Sequence, residues 1–579
     1  MGSKSVAALC CCLLVLPPAA LPAAARSKGN QWMKGMKLRD KIAQLIIAPC
    51  FGEDPASSSD EYRKFSRWVK ELHIGGFIAV NRVVSGTVRN AEPHAMASFF
   101  NRMQRLSKVP LLMAGDFERG ASMRVANTAK FPHLMAYGAA GDLELTRQLG
   151  ADTARESRAL GVHWVFAPDS DVNNNPDNPI INTRSFGEDP AKVAAHVKAF
   201  IEGAHSVPAS TVLVTAKHFP GHGDTGVDSH LNLPVLEASR QRIDTTEMVP
   251  FRAAIAAGVD AVMSAHMAVP AIESEHIPAT VSAKVLTTLL KNELGFKGLV
   301  VTDAMDMQGL TKMFPVGEAA VRALEAGADV LLMPRDPEAV IQAVEAAVRD
   351  GRLTEKRITA SVLKVLAAKA KVGLNVRKLV DIEAITDTTE SAEFAGHAQT
   401  AADRAITVLR NEGSAIPLKQ PGQTCFWVLA ESRYGVGGRR FAEEVGRRQR
   451  TAVVHILDPQ VPASEVDILV SKTSACVVHV LAGYASTGAY KSDSRLPAGY
   501  AALVSSLTAN PSKPPIVTVA VGVPYILRAL PSATAQMATF SSVITSEIAA
   551  VKALFGEIQA KGHTPVSIPG IARLGDPTM

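Results

Sequence analysis

The chain has 579 residues, 47% of them hydrophobic and 20% charged, which is enough for more than one packed core and too apolar for a disordered polymer. Its 61 basic and 55 acidic side chains leave a formal charge of +6 with no basic block, so a nucleic-acid partner is not indicated.

At the start of the chain, Lys4 precedes an apolar run from Val6 to Leu16 and an Ala/Pro stretch ending at Ala25, before Arg26. This is the pattern of a secretory signal peptide over residues 1–25, and it predicts export to the periplasm or the exterior. Pro17, Pro18 and Pro22 break the run well short of the roughly 20 residues a spanning helix needs, so no integral membrane span is expected in the mature chain. The triplet Cys10–Cys12 leaves lipid attachment as an alternative, although Leu9 is bulkier than the residue usually found before a lipidated cysteine. The remaining cysteines, Cys50, Cys425 and Cys476, are scattered and suggest no disulfide framework. Without a CxxC pair, an HExxH helix or a GxxxxGK[ST] loop, neither a metal nor a cofactor is expected.

From about residue 40, β-branched apolar runs alternate with amphipathic stretches, the pattern of parallel strands joined by helical crossovers. Eight runs precede residue 340: Ile42–Pro49, Gly75–Val80, Pro110–Ala114, His163–Ala167, Thr211–Thr215, Asp260–Ala265, Leu299–Thr302 and Asp329–Met333. Between them, Asp60–Leu72, Asp142–Leu160, Pro190–His205, Ser282–Leu294 and Val316–Ala326 carry apolar residues at helical spacing. Eight such units predict an α/β fold of the (β/α)8 TIM-barrel type over residues 30–375. Residues 376–399, with the polar stretch Asp381–Glu393, read as a linker. Over 400–579, the runs Cys425–Ala430, Ala452–Leu457, Ala475–Leu481 and Ile516–Val521, with helices at Phe441–Gly446 and Gly499–Leu507, predict a second, open α/β sandwich domain.

In a barrel the chemistry sits at the C-terminal ends of the strands. The polar residues there are Asp116 and Glu118, Asp169 and Asp171, Lys217 and His218, His266 and Asp303, a ring of carboxylates, imidazoles and cations that suits sugar chemistry. The segment KHFPGHGDTGVDSH (217–230) concentrates titratable groups after the fifth run. Within it, Asp228 stands two residues before His230, close enough to orient the ring; the alternative is an Asx turn beside a surface histidine. Asp303, in VVTDAMDM (300–307), either points a nucleophilic oxygen into the barrel mouth or caps a helix, and Asp306 is available for the second role. His266 is open between ligand contact and support of the rim, while His222 and Asp224 are expected to shape the loop.

These residues resemble glycoside hydrolase family 3, in its β-N-acetylhexosaminidase branch, whose motif reads KHFPGHGD followed by a DSH loop. The similarity extends to LRDKIAQLI (38–46), INTRSFGEDP (181–190), VTDAMDM (301–307), AITVLRNEGSAIPL (405–418) and TPVSIPG (564–570). The resemblance implies a retaining β-N-acetylhexosaminidase acting on terminal β-linked N-acetylglucosamine in a carbohydrate such as a muropeptide or chitin fragment. It assigns Asp303 as nucleophile and His230, oriented by Asp228, as acid/base. It also implies that Asp116, Arg124, Arg184, Lys217 and His218 bind the sugar; for Arg184 the alternative is a salt bridge with Glu188 or Asp189. The segment DFERGASMR (116–124) departs from the family pattern at Phe117 and Arg119, which softens the assignments of Asp116 and Arg124. One rival keeps the site but makes the enzyme a phosphorylase; another is a glucosidase or xylosidase branch, which usually takes its acid/base carboxylate from outside the barrel and against which the DSH loop argues; a third retains only sugar binding without turnover.

Overall fold

The structure, a computed structural model, describes residues 31–84, 87–433, 435–486, 496–509, 514–530 and 533–576. The expected signal peptide lies outside these residues, and no helix among them is long and apolar enough to cross a membrane.

All eight apolar runs of the first half form strands: β1 (Ile46–Cys50), β2 (Gly76–Ala79), β3 (Leu112–Gly115), β4 (Trp164–Val165), β5 (Leu213–Phe219), β6 (Ala261–Ser264), β7 (Leu299–Thr302) and β8 (Leu331–Leu332). They pair in parallel in the order β8-β1-β2-β3-β4-β5-β6-β7. A bridge between Val301 and Val330 joins the two ends, so the sheet curls into a TIM-type barrel. Every residue of β2, β3, β5, β6 and β7 is buried, as continuous apolar runs covered on both faces require. Helices Leu143–Ala159, Pro190–His205 and Val316–Ala326 fill the crossovers expected for them. The stretches Asp60–Leu72 and Ser282–Leu294 differ in detail, ending or continuing as π-helical turns at Trp68–Leu72 and Lys284–Glu293.

The stretch expected as a linker carries a short helix, Ile385–Thr389, and the start of a longer one, Ala392–Ala405. Ile385, Phe394 and Ala398 join the barrel's hydrophobic core, which explains why a polar-looking segment is folded. Beyond it lies a mixed sheet of β9 (Thr407–Asn411), β10 (Thr424–Leu429), β11 (Val453–Leu457), β12 (Val478–Ala485), β13 (Ile516–Gly522) and β14 (Ala535–Ala538), ordered β9-β14-β13-β12-β10-β11. All pairings are parallel except that of β9 with β14, which gives the open α/β form with one antiparallel edge. Apolar clusters cover both faces of this sheet, and one of them includes Met135, Ala136 and Ala139 from a barrel-side helix, so the two units share packing. The reading of the cysteines needs correction: Cys425, on β10, and Cys476, two residues before the neighbouring strand β12, form a disulfide across 51 residues of sequence, while Cys50 is free and buried.

Candidate active site

The strand ends of the barrel converge on an ion-pair network. Lys217, near the end of β5 and almost wholly buried, places Nζ 2.7 Å from Glu118 Oε1, 3.2 Å from Asp116 Oδ1 and 3.6 Å from Asp169 Oδ1. Arg184 grips Glu118 with two donors, Nε to Oε2 at 3.1 Å and Nη2 to Oε1 at 2.9 Å, and lies 3.2 Å from Asp169. Arg124 donates to Asp116 (2.8 Å) and to Asn81 Oδ1 (2.6 Å), the latter following β2. Burial by itself would raise all these carboxyls. At Asp116 the charges of Lys217 and Arg124 outweigh burial and hold it below its ordinary value, and at Glu118 Arg184 and Lys217 hold it well below. At Asp169 burial prevails and pushes the carboxyl up to about 7. Lys217 is raised: burial disfavours its charge, but the surrounding carboxylates more than compensate. Asp116, Arg124 and Arg184 keep 19 to 24% of their side chains exposed, so this network presents donors and acceptors to the barrel mouth instead of sealing it.

His218 sits next to Lys217 and passes Nδ1 to Asp171 Oδ2 at 2.8 Å, while its Nε2 lies 3.3 Å from Arg184 Nη2. Burial works against its charged form, yet Asp171 outweighs burial and raises His218 above its ordinary value. Asp171 also accepts the His222 backbone N–H (2.7 Å), which ties the start of the long loop to β4's end. The loop can approach this closely because residue 223 is glycine: a Cβ there would fall 1.8 Å from the Val172 carbonyl oxygen. His222 bonds Thr225 within the loop and so shapes it, as expected.

Asp303 directly follows β7 and is half-buried; its Oδ1 accepts the Ala304 N–H at 2.7 Å. Burial would raise it, but the charges of His218 and His266, the Ala304 amide and the charge of His230 keep its carboxyl below the ordinary value. It caps no helix: the next helix, Gln308–Thr311, has Met307 as its uncapped N-terminal neighbour, and Asp306 does not cap it either. His230 lies in the DSH turn. Asp228 Oδ1 accepts both its backbone N–H and its ring Nδ1, each at 2.8 Å, so the Asx turn and the oriented ring are one arrangement. This turn is held on the segment after Asp303. The Gly309 N–H donates to Ser229 O (3.1 Å), and Lys312 Nζ donates to Leu231 O (2.7 Å) and Asn232 Oδ1 (2.6 Å). The aspartate and the imidazole, 73 positions apart, thus come from two segments that are hydrogen-bonded to each other.

The open question over His266 is answered by its partners. Its Nδ1 meets Thr280 Oγ1 (2.8 Å) and its Nε2 the Ala304 carbonyl (3.0 Å), so with both ring nitrogens engaged it supports the backbone behind Asp303. Arg184 pairs with Glu118 and Asp169 and not with Glu188 or Asp189; Glu188 bonds Ser567, and Asp189 caps helix Pro190–His205. Glu118, Asp169 and Asp171 were visible as strand-end residues but were not assigned a binding role, and Asn81 was missed altogether. Asp169, Asp171 and His218 bring one ligand atom each within 4.8 Å, the spacing of a metal cluster. Arg184 and Lys217 already supply the countercharge to Asp169, and His218 Nδ1 is committed to Asp171, so these groups have the chemistry of an ion-pair network.

The family model described as glycosyl hydrolase family 3 N terminal domain matches residues 37–368. A β-N-acetylglucosaminidase/β-glucosidase of Cellulomonas fimi is 32% identical over 412 residues, 69% of this chain and 70% of its own. Among solved structures, a glycoside hydrolase family 3 β-N-acetylglucosaminidase from Paenibacillus sp. str. FPU-7 superposes with a TM-score of 0.81 at 32% identity, over 92% of this chain and 99% of that one. A β-glucoside phosphorylase superposes with a TM-score of 0.84 at 25% identity, over 96% and 98%. The chain belongs to glycoside hydrolase family 3.

Proposed function

We propose that the protein is a retaining exo-β-N-acetylhexosaminidase that releases terminal β-linked N-acetylglucosamine from an exported or envelope glycan such as a muropeptide. The observation that carries this reading is the seating of the Asp228–His230 turn on the segment behind Asp303, which joins an ionised carboxylate and an oriented imidazole in one barrel mouth. Asp303 attacks the anomeric carbon as His230 gives its proton to the departing glycosidic oxygen, which leaves a glycosyl-aspartate ester and a neutral imidazole. His230 then takes a proton from water as that water attacks the anomeric carbon and frees Asp303. Asp228 fixes the ring by holding Nδ1 at 2.8 Å, and in this reading Nε2 exchanges the proton. Asp116, Arg124, Arg184, Lys217 and His218 hold the sugar hydroxyls through charge-assisted hydrogen bonds.

A panel of aryl β-glycosides tests the reading. The N-acetylglucosaminide is expected to turn over fastest, with the β-anomer as first product, and preference for the glucoside or xyloside overturns it. A phosphorylase reading is favoured by one observation: the proposed acid/base is an imidazole, which repels an incoming phosphate less than a carboxylate does. Turnover in phosphate buffer separates the two, since sugar 1-phosphate as main product replaces water with phosphate as acceptor.

A further inference from the structure

The Arg184 side chain reaches the barrel mouth from a long loop after β4 and not from a strand, so its position depends on what holds that loop. Inside the loop, Asn173 is the organiser: its N–H donates to Gly187 O (2.8 Å) and its Oδ1 accepts the Asn182 N–H (2.9 Å), two residues before Arg184. The outer side of the same loop rests on the C-terminal domain. Tyr525 Oη accepts from Asn173 Nδ2 at 3.1 Å in a buried contact. Glu188 donates its N–H to Pro565 O (3.0 Å), and its carboxylate accepts the Ser567 N–H (2.8 Å) and hydroxyl (2.6 Å). The approach is backbone to backbone: a Cβ on Gly187 would stand 2.5 Å from Pro565 O. Both ends of the loop are therefore tied to a domain none of whose described residues joins the network around Lys217.

We propose that the C-terminal domain is a positioning element for sugar binding: through Tyr525 on Asn173 and Ser567 on Glu188 it fixes the loop that aims Arg184 at the substrate. The proposal rests on the sugar-binding role assigned above to Arg184. The buried Asn173–Tyr525 bond restricts the loop because it has no solvent replacement, and the part-buried Glu188–Ser567 bonds add a second tie. Tyr525 and Ser567 are positioning residues, acting through Asn173 and Glu188 and touching no substrate.

The test uses the full chain, with Tyr525→Phe and Ser567→Ala, each of which deletes one hydroxyl, and the double variant. The wild type is first run on the aryl glycoside panel, and the substrate it prefers serves for the variants. If that substrate is not the N-acetylglucosaminide, the hexosaminidase reading fails while the clamp remains measurable. The double variant is expected to raise KM about tenfold with kcat within about twofold, and to speed amide hydrogen exchange in residues 173–188, with the melting temperature lowered by no more than a few degrees. If the double variant is unstable, each single variant is read in the same way, with about a threefold rise expected. A KM within twofold of wild type overturns the proposal, whatever the exchange rates do.

Discussion

Asp303 and His230 divide the labour of bond breaking, and each makes a distinct prediction. Asp303→Ala removes the attacking oxygen and one hydrogen bond to the Ala304 amide, so kcat is expected to fall about 10⁴-fold or more while stability changes by about 1 kcal/mol. Steady-state assay with thermal unfolding checks both; wild-type-like turnover removes the nucleophile assignment. His230→Ala deletes the proton donor, which matters in proportion to how poor the leaving group is. A disaccharide is expected to lose about 10²–10⁴-fold in the bond-breaking step, and an activated aryl glycoside far less, because an aryl oxide departs with little protonation. Equal losses on both, measured by pre-steady-state kinetics, count against an acid role. At this scale the sequence exposed which residues end strands, but not which of them meet. Glu118 and Arg184 are 66 positions apart and Asp116 and Lys217 are 101 apart, and only closure of the barrel turns four such residues into one network.

The loop after β5 and the turn after β7 act as a unit because of a close backbone approach. A Cβ on Gly309 would lie 2.9 Å from Ser229 O and 3.0 Å from Asn232 O, so Gly309→Ala must push the DSH turn away from Asp303. The expected result is a cost of about 1–3 kcal/mol in stability together with a loss of kcat that is larger for poor leaving groups than for aryl substrates. Loss that is uniform across leaving groups would show that the turn's seating does not govern proton delivery. The barrel strands were legible because β-branched runs buried on both faces leave a strong signal. Two strands of the second sheet were not. β14 has the sequence AQMA, with no β-branched residue, although it lies buried between two neighbours. β9 is an edge strand with a bulge between Val408 and Arg410 that breaks its alternation. The packed helices at Ile385–Thr389 and Ala392–Ala405 were hidden for a related reason: a few apolar contacts, such as Phe394, bury one side of a segment whose composition is polar.

For the whole molecule, a pH-dependent term in the mildly acidic range comes from histidines held neutral inside it. Burial pushes His133 down to about 3 and His196, His222 and His479 down to about 4, and it holds His163 well below its ordinary value. In the unfolded chain these rings titrate near 6.5. Their contribution to stability is therefore complete above about pH 6.5 and is lost as the pH falls, because the unfolded state takes up protons the folded state refuses. Burial acts in the opposite sense at Glu156 and Asp169, both pushed up to about 7: their contribution is complete below the ordinary carboxyl range and lost as the pH rises toward 7. Burial also lowers His266 and His455 and raises Asp152, Glu247, Asp306 and Glu547, but the lowered histidines start from the higher ordinary value and so dominate proton uptake between pH 6.5 and 5, each unbalanced proton being worth about 1.4 kcal/mol per pH unit. The protein is accordingly expected to unfold at a lower urea concentration at pH 5 than at pH 7, with proton uptake on unfolding in the acidic buffer. Both are measurable by tryptophan fluorescence and by calorimetry in buffers of different ionisation enthalpy. A higher midpoint at pH 5 would mean that the raised carboxyls outweigh the histidines.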